Sequence, residues 1–417
     1  MRIAFAPLVL STHYFGLVPL AWAARAAGHD VRVVGQPAII DAIVTSGLPA
    51  VSVGTDFDIL AGVAESFQRT QHAVGKVSAK GIESMPTPQQ LRQYRDFRFV
   101  PHVRCAQAMG DDLVAFGRSW RPDVVVADPL VLAAPLLSEA AGAPLVRHLW
   151  GPDIMRGASF PGYPLAEGCS PREDWPTELL ALYDRLGVEP RAEHAVATVD
   201  PCPDSMQVPG IANRIPMRYV PYNGPGALPG WLLEPTTKPR VCITWGTVAT
   251  TFLGPDGFRI PQILEGLAGQ DLDIVVTVSR RDRALLDEVL PQLPPNVRAV
   301  SEMPLNLLLP TCDAVVHHGG VGAMFTAALY AVPQVIISKV TDHLFNSAAL
   351  AATGAGIALR MDETDAAGIG DAVEFALTDD GLRKGARTLQ EETLRRPAPS
   401  EVVGELEKIV TTGAGRH

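Results

Sequence analysis

Positive charge is scarce in this chain. Its 417 residues carry 35 Lys and Arg against 45 Asp and Glu, a formal net charge of −10. That balance argues against a nucleic-acid partner, whose phosphates call for a basic surface, although it leaves room for one local anion site. Cysteine is scarce too: five, at positions 105, 169, 202, 242 and 312, odd in number, widely spaced and without a CxxC pair. No histidine cluster has zinc-ligand spacing, so neither a disulfide framework nor a structural metal is suggested. The five thiols read as small buried hydrophobes in a reducing cytoplasm. Two Asp-x-Asp triplets, Asp56-Phe57-Asp58 and Asp271-Leu272-Asp273, read as solvated loop carboxylates, and no metal is expected. Long apolar runs are also missing, which excludes a membrane span. Residues 3–24 end in Ala21-Trp22-Ala23 and imitate a signal peptide, but Ser11, Thr12 and His13 interrupt the run and Arg2 alone makes up the basic region before it. A first strand and a first helix explain that stretch better.

What is present is the grammar of an α/β protein in two halves, because 417 residues exceed what one core usually supports. Arg2 to Leu8 reads as a strand, a polar loop follows, Leu17 to Ala27 reads as a helix closed by Gly28, and Val31 to Val34 returns as a strand. Asp123 to Asp128 is another strand, ending in a carboxylate, with a helix from Val131 to Ala141 behind it. The pattern restarts near residue 240. Val241 to Trp245, Ile274 to Val278, Ala314 to His317 and Gln334 to Ile337 read as strands, Phe258 to Leu267 and Gly322 to Tyr330 as helices. Val220 to Gly230 holds three prolines and three glycines in eleven residues and marks the junction. The expected division is an N-terminal Rossmann-like domain over 1–210, a linker over 211–236, a C-terminal Rossmann-like domain over 237–395, and a C-terminal helix and tail over 396–417. Residues 55–115 are less regular and read as longer helices with loops.

The most informative segment is His317-His318-Gly319-Gly320-Val321-Gly322-Ala323-Met324-Phe325-Thr326. An apolar strand runs into three glycines in four residues, and a helix follows at once. Glycine lets the backbone approach a ligand, and a helix start aims unpaired N–H groups and a partial positive charge at an anion. A diphosphate fits. His318 can add a side-chain donor, and Thr326, about one turn into the helix, can reach a ribose or phosphate. The spacing is neither a Walker A motif nor a GxGxxG fingerprint, which argues against a dehydrogenase. A turn kept only for packing would also be rich in glycine; the paired histidines and the later Asp342-His343 favour the ligand.

That segment, continued through Leu359, resembles the donor-binding signature of family 1 glycosyltransferases of the GT-B fold. The likeness is greatest to the actinobacterial enzymes that glycosylate polyketide and other antibiotic aglycones. Ser11 to Leu20, Leu149-Trp150-Gly151-Pro152-Asp153, Tyr219 to Pro225 and Met303 to Leu308 are similar as well, so the resemblance covers nearly the whole chain. It implies two facing Rossmann-like domains with parallel sheets and a C-terminal helix able to cross back to the first domain. Position by position, it implies that His318 donates to the donor diphosphate and that Gly320, Gly322 and Ala323 offer backbone N–H groups. Thr326 falls where the family contacts ribose or phosphate, and Met303 where the backbone pairs with the nucleobase. Gly246 and Thr247 fall in the loop on the other side of the phosphates, and Asp342 and His343 at the Asp-Gln pair that binds sugar hydroxyls. Three departures stand out: Ala323 replaces a Ser or Thr, Glu302 replaces a stacking Trp, and His343 replaces Gln, which suits a deoxysugar with fewer hydroxyls.

Inverting transfer needs one base to take the acceptor proton, and histidine titrates in the right range. His13 follows the first strand and Asp128 ends another strand of the same half, at the sheet edge where open α/β sheets bind ligands. The resemblance matches the two to a His–Asp dyad in which the carboxylate fixes the imidazole. His102 and His148 compete as bases; His148 reads better as a packed core residue, and so does His317. Trp150 and the apolar helices of 55–115 are candidate acceptor walls. The donor implied is a dTDP-sugar or UDP-sugar acting as co-substrate, with no cofactor, and the acceptor a hydrophobic natural product. Some relatives need a helper protein related to cytochromes P450, and the resemblance leaves a helper and a homodimer open. Two other readings share the architecture: a catalytically inactive nucleotide-sugar-binding protein, against which His13 speaks, and an epimerase or phosphorylase. A phosphorylase would carry a lysine for pyridoxal phosphate, and Lys339, the only lysine near the donor motif, has no such surroundings.

Overall fold

The computed structural model describes residues 1–74, 99–158, 160–165, 167–246, 250, 254, 257–339 and 341–413. The chain forms two compact units. The first comprises Met1–Cys202, Val208–Arg218 and Pro397–His417; the second comprises Pro203–Gln207 and Tyr219–Arg396.

The first unit is built on seven strands: β1 (Arg2–Ala6), β2 (Asp30–Gly35), β3 (Ala50–Ser52), β4 (Val124–Ala127), β5 (Leu145–His148), β6 (Ala195–Asp200) and β7 (Arg214–Pro216). They lie in the order β3-β2-β1-β4-β5-β6-β7 and every pairing is parallel. β4 is Val-Val-Val-Ala with all four residues buried, as a central parallel strand covered on both faces must be. The second unit carries β8 (Arg240–Thr244), β9 (Asp273–Val278), β10 (Val297–Ser301), β11 (Ala314–His317), β12 (Gln334–Ser338) and β13 (Gly356–Arg360). Its order is β10-β9-β8-β11-β12-β13, again all parallel. Each sheet therefore reverses its winding once, between β1 and β4 in one unit and between β8 and β11 in the other. At such a switch point the loops leave to opposite faces and open a crevice at the carboxyl ends of the strands. Each unit has its own apolar core, one centred on Phe116, Leu136, Leu137 and Trp175, the other on Ile243, Ile263, Val276 and Val373.

Three local features differ from the sequence expectation. The first helix is Ser11–Ala26 and starts six residues early. Its polar opening, Gly16 and Pro19 look like loop chemistry, yet Pro19 is carried inside the helix, whose inner face (Tyr14, Leu17, Val18, Leu20) is buried in the core. Tertiary packing outweighs local propensity there. The helix behind β4 starts at Ala134, because Asp128 to Ala133 form tight turns first, with Val131 N–H bonded to Asp128 O at 3.0 Å. β7 lies inside the stretch 211–236, where Pro and Gly suggested a linker. In the 55–115 stretch, helices Ile59–Val74 and Val100–Trp120 are observed.

The last helix, Pro399–Gly413, belongs to the first unit and packs on Ser11–Ala26. Val402, Val403 and Leu406 are buried, and Glu407 meets His29 at 3.0 Å. Among the described residues no helix is long and apolar enough to cross a membrane.

Candidate active site

In the first unit the switch point is occupied by a histidine and a carboxylate. His13 sits in the first turn of Ser11–Ala26, just beyond β1, and Asp128 follows the last residue of the neighbouring β4. Their side chains meet, Nδ1 of His13 to Oδ2 of Asp128, at 2.8 Å. The other carboxylate oxygen accepts the Leu130 N–H at 2.8 Å. Asp128 is 2% exposed and His13 15%, so the carboxylate is sealed while the imidazole keeps a wet edge. A carboxylate accepts only, so Nδ1 must carry the proton and Nε2 is left basic. The Trp150 ring lies 4.9 Å from the His13 ring at an interplanar angle of 43°.

The competing histidines sit near the same carboxylate but differ in one respect. Burial pushes both His102 and His148 down to about 4, despite the pull of the Asp128 charge in the other direction. Nδ1 of His102 and Nε2 of His148 have no hydrogen-bond partner among the described residues. Both are neutral at physiological pH, and neither is anchored to Asp128 by a hydrogen bond. The Asp-x-Asp triplets are occupied with structure: Asp56 accepts from Ala38 N–H, Asp58 from Ala61 N–H, Asp271 pairs with Lys238, and Asp273 pairs with Arg240.

In the second unit the switch point holds a histidine boxed by glycines. β11 ends at His317, and Gly320 caps the helix Val321–Leu329 with extended backbone and no side-chain cap. The first N–H groups of that helix are thus uncapped. His318 is 6% exposed and fills the space between Gly246, which follows β8, and Gly320. A Cβ at Gly246 would stand 2.2 Å from His318 Cε1, and one at Gly320 would stand 2.9 Å from His318 Nε2. Gly246 has φ +71°, a conformation that glycine alone adopts without strain. Gly322 faces open space, and Ala323 is buried. Thr247, expected beside Gly246, lies outside the described residues.

Two polar locks hold this turn. His317 donates from Nε2 to Gln334 Oε1 at 2.9 Å and accepts the Gly319 N–H on Nδ1 at 3.2 Å, a pattern only the neutral ring can make. Burial pushes it down to about 4 accordingly. Asn346 donates to Gly319 O at 3.0 Å from the helix Thr341–Ala352. His343, on the same helix, packs its ring edge-on to His318 with centroids 4.8 Å apart. Asp342 and His343 lie side by side, Oδ2 to Nε2 3.7 Å, with the carboxylate about half exposed. Burial, with His343 and His317 alongside, holds His318 well below the usual imidazole range.

Thr326 is fully buried. Its hydroxyl donates to Gly322 O at 2.6 Å and receives Asn223 Nδ2 at 3.3 Å, while the Tyr219 hydroxyl lies 3.3 Å away. Asn223 also accepts Asn306 N–H at 3.0 Å, which ties the segment after Met303 to the same network. Sequence reasoning missed Tyr219, Asn223 and Gln334 as supports, since each acts across a long stretch of chain. Met303 is half-buried, and Glu302 before it adopts a left-handed backbone, φ 52°.

Two parallel α/β units, each with histidine at its switch point and one with an uncapped glycine turn before a helix, have the architecture of the GT-B class. The sequence comparisons agree. The family models described as Erythromycin biosynthesis protein CIII-like, N-terminal domain and C-terminal domain match residues 22–246 and 261–409. Tylactone mycaminosyltransferase of Streptomyces fradiae is 37% identical over 98% of this chain and 92% of its own length. The 10-deoxymethynolide desosaminyltransferase of Streptomyces venezuelae is 38% identical over 98% of this chain and 97% of its own. Among solved structures, glycosyltransferase VinC in complex with dTDP is 30% identical with a TM-score of 0.79, covering 99% of this chain and 100% of that one. The chain belongs to the EryCIII-like family of actinobacterial natural-product glycosyltransferases.

Proposed function

We propose that the chain transfers a deoxysugar from a dTDP-sugar, or a UDP-sugar, to a hydrophobic aglycone of the polyketide type, with inversion at the anomeric carbon. The observation that carries the reading is the 2.8 Å bond from His13 Nδ1 to a sealed Asp128, which leaves Nε2 basic at a wet edge. In the reaction, Nε2 takes the proton of an acceptor hydroxyl as its oxygen attacks the anomeric carbon. The bond from that carbon to the phosphate oxygen breaks, and the nucleoside diphosphate leaves with the electron pair. Asp128 then faces an imidazolium whose charge it stabilises. Trp150, packed on the His13 ring, serves as a wall for the aglycone.

The donor diphosphate is assigned to the uncapped helix start after β11, through the N–H groups of Gly320, Gly322 and Ala323 and the ring of His318. Gly246 stands on the β8 side of the phosphates and Thr247 is assigned to the same contact, Met303 offers its main chain to the base, and Asp342 with His343 serves the sugar. Thr326, with its hydroxyl engaged by Gly322 O, supports the turn from beneath and adds its position to the ribose side. The dTDP bound to VinC and the aglycones named for the two relatives support the substrate classes.

Calorimetric titration with dTDP, UDP, ADP and NADH tests the donor half. Selective binding of dTDP or UDP that His318→Ala weakens is expected, and equal indifference to all four would refute it. His13→Ala tests the other half: transfer is lost while dTDP affinity stays within about twofold, since general-base catalysis is worth about 10²–10⁴ in rate.

A further inference from the structure

The segment that follows β5 supplies two aromatic rings to the surroundings of His13. Trp150, at its start, packs on the His13 ring with centroids 4.9 Å apart. Phe160, further along, is fully buried and stands edge-on to Phe99 at 4.5 Å and to His102 at 5.5 Å, where the helix Val100–Trp120 begins. His102 is partly exposed, as Trp150 is, and lies close enough to His13 and Asp128 to feel both charges. A buried arginine holds the far end of this segment. Arg147, on β5, is 5% exposed, and its Nη2 donates to Gly162 O at 2.6 Å and to Glu193 Oε1 at 2.7 Å. Nη1 donates to Thr198 Oγ1 on β6 at 3.3 Å. The guanidinium carbon lies 4.1 Å from the centre of the Tyr163 ring, which is itself fully buried and 6.3 Å from Phe160. Contacts thus run from Arg147 through Tyr163 and Phe160 to Phe99 and His102. Arg147, Pro161 and Gly162 also share the wall of a cavity of about 30 Å³ with Asp128.

We propose that Arg147 is a positioning residue for the acceptor: by latching Gly162 and Tyr163 it fixes Phe160 and, through Phe160, the His102 end of the acceptor wall. This rests on the assignment of the aglycone to the surroundings of His13. Stability alone gives little reason for an arginine here, because a buried ion pair adds little over apolar residues of the same size. A planar fork does what an apolar side chain cannot, holding a loop carbonyl, a carboxylate and an aromatic face in one geometry. The two ends of the wall are secured separately. Leu149 N–H bonds to Val199 O at 2.9 Å, so the sheet ladder itself carries the chain into Trp150. Loss of the latch therefore releases the Phe160 end while His13 keeps both Asp128 and Trp150. A large apolar ring that must touch both ends of the wall feels that release, and a nucleotide held by the second unit does not.

The experiment uses the two macrolactones named for the relatives, tylactone and 10-deoxymethynolide, as probes. Their dissociation constants are measured on the full chain for the wild type, Arg147→Met, Arg147→Lys and Gly162→Ala, with dTDP affinity and the melting midpoint recorded alongside. Arg147→Met is expected to weaken the macrolactones about tenfold, the factor that one hydrogen bond to a charged group carries, while dTDP stays within about twofold. Arg147→Lys, which keeps the charge but not the fork, should recover part of that loss. Gly162→Ala leaves Arg147 and Glu193 intact and finds open space for its Cβ, but φ +87° strains the latched carbonyl, so it too should weaken the macrolactones. These last two variants carry the test if Arg147→Met does not fold. A merely structural Arg147 would lower the melting midpoint yet leave the macrolactone constants of the folded variants at the wild-type value, and that result would overturn the inference with the acceptor site standing. Failure of the wild type to bind either macrolactone would overturn the acceptor reading itself, and this inference with it.

Discussion

The glycine box around His318 can be probed by adding one methyl group. In Gly246→Ala the new Cβ would stand 2.2 Å from His318 Cε1, whereas carbon atoms rest at about 3.5 Å, so about 1.3 Å of overlap must be relieved. The ring cannot simply retreat. Gly320 lies against its Nε2 edge, close enough that a Cβ there would be 2.9 Å away, and the His343 ring lies 4.8 Å off. The alanine must also hold φ +71°, which costs an L-residue about 1–2 kcal/mol. Turning His318 off its rotamer costs about 0.5–1.5 kcal/mol more. Together these predict a loss of about 2–3 kcal/mol in stability of the second unit, or about 4–12 °C in its unfolding midpoint. If His318 holds the diphosphate as proposed, the displaced ring also loses that hydrogen bond, weakening dTDP by about ten- to hundredfold. Differential scanning fluorimetry and calorimetry read the two effects separately. Gly322→Ala is the companion control, because nothing lies within 4 Å of its added Cβ, and its unfolding midpoint should hardly move. A Gly246→Ala protein that binds dTDP within twofold of the wild type would refute the box as the element that seats His318.

Asp128→Asn should keep the fold but lower the rate constant for transfer by about 10²–10⁴, with dTDP affinity unchanged, because the amide no longer stabilises the imidazolium; full turnover would remove Asp128 from the mechanism. Gln334→Leu leaves Nε2 of a buried His317 without an acceptor, so denaturant unfolding should register a loss of about 1–3 kcal/mol; an unchanged midpoint would mean the ring finds another partner. Acid should destabilise the fold early. His102, His148, His194 and His317 are pushed down to about 4 by burial, while the unfolded chain protonates each near 6.5. Within that window the unfolded state binds more protons, so stability falls as pH drops from about 6.5 towards 4. Melting curves at pH 7, 6 and 5 should descend steeply, and a flat series would contradict the depressed values.

Local periodicity made the central strands legible. β4, β8, β11 and β12 are short apolar runs bounded by polar or glycine residues, and buried parallel strands have no other way to look. Strand ends therefore pointed to Asp128 and to the turn after His317, and the structure brings His13 to Asp128. What local patterns could not supply was anything decided across the fold. The first turn of Ser11–Ala26 carries Ser, Thr and His because it faces the switch point, so its helix was hidden behind its site chemistry. β7 is an edge strand with no buried residue, β6 beside it opens on the exposed Val196, and both lie among prolines. The sequence presents Thr326 as a donor contact, and the bond its hydroxyl makes to Gly322 O, one helical turn back, is not legible in that pattern. The support that Gln334 gives His317, and Asn223 gives Thr326, joins residues with no shared local pattern.

The first unit is discontinuous in sequence, and this orders events during synthesis. Its last helix, Pro399–Gly413, covers Ser11–Ala26, the element that carries His13. A ribosome making this chain releases the strands β1 to β7 long before that cover exists. The second unit needs nothing beyond Arg396 and can close as soon as it emerges. The half made first is therefore completed last, and the nascent protein must hold an unsheathed apolar helix face through most of translation. A chain halted in its final turns would carry a finished second unit and an unfinished first one, with apolar surface open to misassociation.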